Sequence, residues 1–224
     1  MNFYLILFII IALASWGVSA LLNYRFKQYS KVYLPLTGHE VAEKMLRDNG
    51  IYDVKVISTP GKLTDHYDPR NKTVNLSEGV YDSNSVAAAA VAAHECGHAL
   101  QHAYAYAPLN MRSALVPVVS FASKWVTWIL LGGILLLERF PQLLLAGIIL
   151  YALTTLFAFI TLPVEINAST RAVAWLQQAG ITDYQTTPMA STALRTAAYT
   201  YVVAALSSLG TLVYYIMILV GRRD

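Results

Sequence analysis

His94-Glu95-Cys96-Gly97-His98 sets two histidines four residues apart, with a glutamate beside the first: the pattern H-E-x-x-H. It continues the run Ser85-Val86-Ala87-Ala88-Ala89-Ala90-Val91-Ala92-Ala93, almost wholly alanine and valine. Alanine gives up no side-chain entropy in a helix, so the segment predicts a helix carrying the motif. On a helix, positions four apart share one face with a rise of about 6 Å between them, and both imidazoles reach one metal ion. Glu95, turned by about 100° from His94, is placed for a water on that metal rather than for the metal. Two neutral nitrogen ligands, a polarised water and a carboxylate to take its proton are what zinc-assisted hydrolysis requires.

Such a site needs a third protein ligand and an open fourth position. His102 lies a further turn along the same helix, too far along the axis to close a tetrahedron. His39 and His66 lie upstream, and spacing alone leaves them open. Glu165 is the favoured candidate. It stands in Leu162-Pro163-Val164-Glu165-Ile166-Asn167-Ala168-Ser169-Thr170-Arg171-Ala172, where a second helical run is expected to start. Ala168 and Ala172 fall at i+3 and i+7, a small-residue stripe that lets this helix lie close against the alanine-rich one. Gly97 fits a close helix crossing or a close substrate approach, and Cys96, the one cysteine, reads as a packing residue facing away from the metal. Arg171, and less readily His66 or Asn167, could stabilise an oxyanion.

H-E-x-x-H followed by E-x-x-A among apolar helices resembles the gluzincin-type membrane metallopeptidases, the group of the HtpX and Ste24 proteases. Ala93-His94-Glu95-Cys96-Gly97-His98-Ala99 with Val164-Glu165-Ile166-Asn167-Ala168-Ser169 is similar to the bacterial YugP-like zinc metallopeptidases, over nearly the whole chain. The resemblance implies one Zn2+ per chain held by His94, His98 and Glu165, with Glu95 as general base. In the wider gluzincin pattern an aspartate follows E-x-x-A and orients a ligand histidine; here the position is Ser169, whose hydroxyl accepts a hydrogen bond without a charge. The resemblance also suggests proteolytic quality control, and an active site beside lipid would suit membrane proteins or peptides at the membrane surface as substrates. A zinc hydrolase acting on a lipid-linked or prenylated substrate would use the same ligands. A non-catalytic zinc-binding partner protein would need a further Cys or His to close the site.

The elements that must position these residues belong to a membrane protein. The chain is 56% hydrophobic and 13% charged, with a mean hydropathy of +0.48, above the soluble average. Phe3 to Leu22, Leu115 to Leu137, Pro141 to Leu162 and Ala197 to Val220 have spanning length, with Lys124 inside the second. Val18-Ser19-Ala20 could serve as a signal cleavage site, but Met1-Asn2-Phe3 carries no cation. Arg25, Lys27 and Lys31 follow the first span, which predicts a retained anchor with its N-terminus outside and an active site on the cytoplasmic side of the cell membrane. Arg222 and Arg223, after the last span, oppose that bias. Two spans separate His98 from Glu165, so a hairpin turning at Glu138-Arg139-Phe140-Pro141 returns the third ligand to the face of the first two. Tyr104, Tyr106, Trp125 and Trp128 fit an interfacial aromatic belt.

Between the first spans lies a polar segment. Thr37-Gly38-His39-Glu40 is a capping box before a helix that stops at Asn49-Gly50. Tyr52 to Ser58 alternates as a strand, and Thr73 to Leu76 reads as a strand returning after the turn at Asp68-Pro69-Arg70-Asn71. The gluzincin resemblance implies that the edge strand next to the H-E-x-x-H helix holds the substrate backbone by strand addition; Lys72 to Leu76 is the segment that could do so, a plain structural hairpin being the equal alternative. The expected fold is mainly α: a multi-pass membrane protein of about four transmembrane helices with a small α+β zincin-like catalytic region. The expected divisions are an anchor at 1–22, a cytoplasmic-side segment at 23–113, a transmembrane hairpin at 114–162, the second ligand helix and linker at 163–196, and a last span at 197–224. A net charge of +3, spread along membrane-flanking segments, gives no nucleic-acid footprint. Sequence leaves the oligomeric state open.

Overall fold

The computed structural model describes residues 3–221. It is mostly helical, with one small sheet, and among the described residues four helices are long and apolar enough to cross a membrane. These are α1 (Phe3–Tyr29), α5 (Ala107–Leu135), α6 (Pro141–Gln178) and α7 (Thr187–Val220). Between α1 and α5 come α2 (Gly38–Asp48), β1 (Lys55–Thr59), β2 (His66–Asp68), β3 (Thr73–Ser77), α3 (Glu78–Tyr81) and α4 (Val86–Ala103). The chain divides into two compact units. One comprises Met1–Gly17, Asn110–Leu162 and Thr200–Asp224; the other comprises Val18–Leu109 and Pro163–Tyr199.

The first unit is built from apolar helix. Phe8, Leu13 and Trp16 on α1 and Trp125 and Trp128 on α5 are exposed, as side chains facing lipid would be. Glycines let α5 and α6 approach: a Cβ on Gly133 would come within 2.6 Å of the Leu144 Cα. Val126, Leu130, Leu144 and Ile148 form the buried seam. Thr155 and Ser208 share a 2.7 Å hydroxyl hydrogen bond between α6 and α7, satisfying two polar groups in apolar surroundings.

The second unit holds the sheet, α2, α3 and α4. Thr37 and Glu40 cap α2 reciprocally as expected: the Thr37 amide donates to Glu40 Oε2 at 2.8 Å and the Glu40 amide to Thr37 Oγ1 at 3.3 Å. The helix ends before Gly50, whose φ of 72° suits a residue without a Cβ. Val41, Ala42 and Met45 of α2, Val74 and Leu76 of β3, and the alanines of α4 form one buried core.

The structure corrects two sequence expectations. The sheet order is β1-β3-β2, with β1 parallel and β2 antiparallel to β3. Thr73 to Leu76 is therefore the central strand; both its edges are paired and it cannot add a substrate strand. Pro163 does not start a new helix either. It lies inside the single 38-residue α6, because a proline removes one backbone donor and can kink a helix without ending it. Helices α5 and α7 likewise begin earlier than hydropathy alone marked them, at Ala107 and Thr187. Met1, Asn2, Arg222 and Arg223, used in the reading of orientation, lie outside the described residues.

Candidate metal centre

Helix α4 begins at Ser85, whose Oγ accepts from the Ala88 amide at 3.3 Å. Its alanine faces are buried so completely that α2 and β3 pack directly on the backbone cylinder. From His94 onward one face of the helix turns from that core to polar contacts. Cys96 stays on the packed side, with its thiol toward the Ala42 carbonyl at 3.5 Å; burial pushes that thiol well above the usual range and keeps it protonated. On the other face, His94 and His98 meet edge to face, with ring centroids 4.8 Å apart.

Helix α6 supplies the third group. A Cβ on Gly97 would lie 2.7 Å from the Ala168 carbonyl oxygen, so α4 and α6 touch backbone to backbone there. Ala168 and Ala172 are buried in the contact, the small-residue stripe the sequence implied. One turn before Ala168, Glu165 Oε2 lies 3.4 Å from His94 Nε2 and 3.6 Å from His98 Nε2. Among the described residues, His94, His98 and Glu165 form the cluster of three potential metal ligands, their ligand atoms all within 4.8 Å of one another. Ligands about 2.1 Å from zinc in a tetrahedron are separated by about 3.4 Å. Two imidazoles and a carboxylate at these spacings fit that ion.

The ring nitrogens facing away from the cluster are engaged. His94 Nδ1 lies 3.1 Å from Ser169 Oγ, and His98 Nδ1 lies 3.0 Å from Gln101 Oε1. Burial opposes the charged form of His98, but the Glu165 and Glu95 carboxylates and the Gln101 contact outweigh it, so its pKa is raised. Glu95 is itself buried, on α4 beside the first ligand.

The other three histidines are engaged elsewhere. His39 stacks on Tyr81 at 4.5 Å and pairs with Glu43; His66 Nδ1 donates to the Thr64 carbonyl; His102 Nδ1 meets the Tyr67 hydroxyl at 3.2 Å. Arg171 Nε donates to Asn167 Oδ1 at 2.8 Å, with its guanidinium carbon 5.8 Å from the Tyr104 ring centroid. Sequence reasoning missed Gln101. Its signal was a lone amide three residues after His98, on the ligand side of an otherwise apolar turn.

His94, His98 and Glu165 thus offer a His-His-Glu donor set in a chain with four helices long and apolar enough to cross a membrane. The family model described as "Putative neutral zinc metallopeptidase" matches residues 4–220, and the chain belongs to that family. It is 43% identical to "Putative membrane protease YugP" of Bacillus subtilis (strain 168), over 97% of this chain and 99% of that protein. No solved structure matches the chain.

Proposed function

We propose that this protein is a zinc-dependent endopeptidase of the cell membrane that cuts membrane proteins or peptides lying at the cytoplasmic surface. The convergence of His94, His98 and Glu165 carries the reading, because the two helices bring together two imidazoles and a carboxylate and leave no fourth Cys or His in the cluster among the described residues. His94 and His98 would hold one zinc through Nε2, and Glu165 through its carboxylate. The bound ion would supply Lewis acidity, acidifying water and polarising the scissile carbonyl.

The chain's own groups do the rest. Glu95, next to a ligand but turned off the ligand face, takes the attacking water's proton on a carboxylate oxygen and gives it to the leaving amine. Ser169 and Gln101 hold the imidazoles from behind. The cations after α1 support a cytoplasmic active site, and the membrane-length helices support substrates met at the bilayer.

The test is Glu95→Gln in detergent-purified protein, with zinc content and cleavage of a membrane-protein substrate measured together. Zinc near one per chain in both proteins, with cleavage lost in the variant, is the expected result. No zinc in the wild type would overturn the reading.

A further inference from the structure

We propose that Gln101, held by Asn167 and Arg171, is a positioning residue that fixes the tautomer of His98 and its register with Glu165. The inference rests on His94, His98 and Glu165 being the zinc ligands.

Gln101 is 0% exposed, and each of its amide atoms has a partner. Nε2 donates to the Val164 carbonyl at 2.8 Å and to Asn167 Oδ1 at 3.0 Å; Oε1 faces His98 Nδ1 at 3.0 Å. The direction of every bond follows from two groups whose polarity cannot change. A main-chain carbonyl only accepts, so the Gln101 atom at Val164 is the NH2 group. A guanidinium only donates, so the Asn167 atom at Arg171 is the oxygen, and that oxygen accepts from Gln101 as well. The Gln101 oxygen is left to face His98. As it only accepts, Nδ1 carries the ring proton, and the Nε2 lone pair points toward Glu165.

The same side chain ties the two ligand helices together. Val164 is the residue before Glu165, so one buried amide grips His98 on α4 and the backbone next to the third ligand on α6. His94 has no equivalent: the Ser169 hydroxyl can donate or accept and leaves that ring's tautomer open. A merely structural amide would need its bonds to α6 but not its oxygen on His98.

The experiment measures zinc affinity by chelator competition, the visible spectrum of the Co2+-substituted protein, and thermal unfolding, for full-length wild type, Gln101→Met, Asn167→Leu and Asn167→Asp. Gln101→Met is expected to weaken zinc binding about 10- to 100-fold and to shift the Co2+ bands. Asn167→Leu should move both in the same direction, and Asn167→Asp, which keeps the acceptor, should restore them. Wild-type zinc affinity and spectrum in Gln101→Met would overturn the proposal while leaving the metal site standing; no zinc in the wild type would overturn both. If Gln101→Met does not fold, the two Asn167 variants decide, and equal zinc affinity in them counts against the proposal.

Discussion

Gly97 and Ala168 meet backbone to backbone: a single methyl on Gly97 would lie 2.7 Å from the Ala168 carbonyl oxygen and 3.1 Å from its Cα. Neither neighbour is the tip of a flexible side chain, so the helices themselves would have to separate. Gly97 is one residue from His98, and Ala168 one turn from Glu165. The distance that brings the ligands together is thus set by the absence of one side chain.

Gly97→Ala should weaken zinc binding by at least about tenfold and destabilise the fold by about 1–3 kcal/mol through overpacking. Gly79→Ala is the control, since nothing lies within 4 Å of a Cβ there. Chelator competition and thermal unfolding on the two variants check the contrast.

Zinc affinity should begin to fall at a higher pH than an ordinary histidine ligand would give. The metal-free His98 has a raised pKa, and zinc must displace its proton. The competing proton is therefore absent well above that pKa and fully bound below it, so affinity falls as pH drops through a value above about 6.5. Zinc dissociation constants measured from pH 8 to pH 5 test the sign. A curve flat down to the ordinary histidine range would contradict it.

Ser169→Ala removes the hydroxyl at His94 Nδ1. It should lower zinc affinity by about tenfold, at the weak end of the range for groups behind a metal ligand, because the hydroxyl is uncharged. Ser169→Asp should bind zinc more tightly than Ser169→Ala. The ordering of the three proteins in competition assays is the readout.

Adjacent glycines in α5 should behave oppositely. A Cβ on Gly133 would stand 2.6 Å from the Leu144 Cα, whereas one on Gly132 meets only the Leu143 Cδ2, at 3.5 Å. Gly133→Ala is expected to lower the Tm by several degrees and Gly132→Ala to leave it nearly unchanged, as thermal unfolding in one detergent would show.

Local physics made much of this legible from sequence. The alanine run, the H-E-x-x-H spacing, the Thr37–Glu40 cap and the Ala168/Ala172 stripe each depend on residues within a turn or two of one another. What sequence hid depends on distant partners. The central place of β3 follows from pairing with β1, which lies across a crossover, and no alternation of polar and apolar residues encodes strand order. Gln101 looked incidental because its acceptors lie more than 60 residues later. Pro163 looked like a helix boundary because prolines usually are one, yet α6 passes through it.

Because α4 is complete long before α6 exists, the ligand set is assembled in two instalments during synthesis. Glu165 follows His98 by 67 residues, and all of α5 and the apolar half of α6 are translated between them. A nascent or truncated chain ending in that interval carries both histidines and Glu95 but no carboxylate ligand. For the proposed enzyme, the full ligand set therefore exists only once two bilayer-length stretches have been synthesised after the histidines.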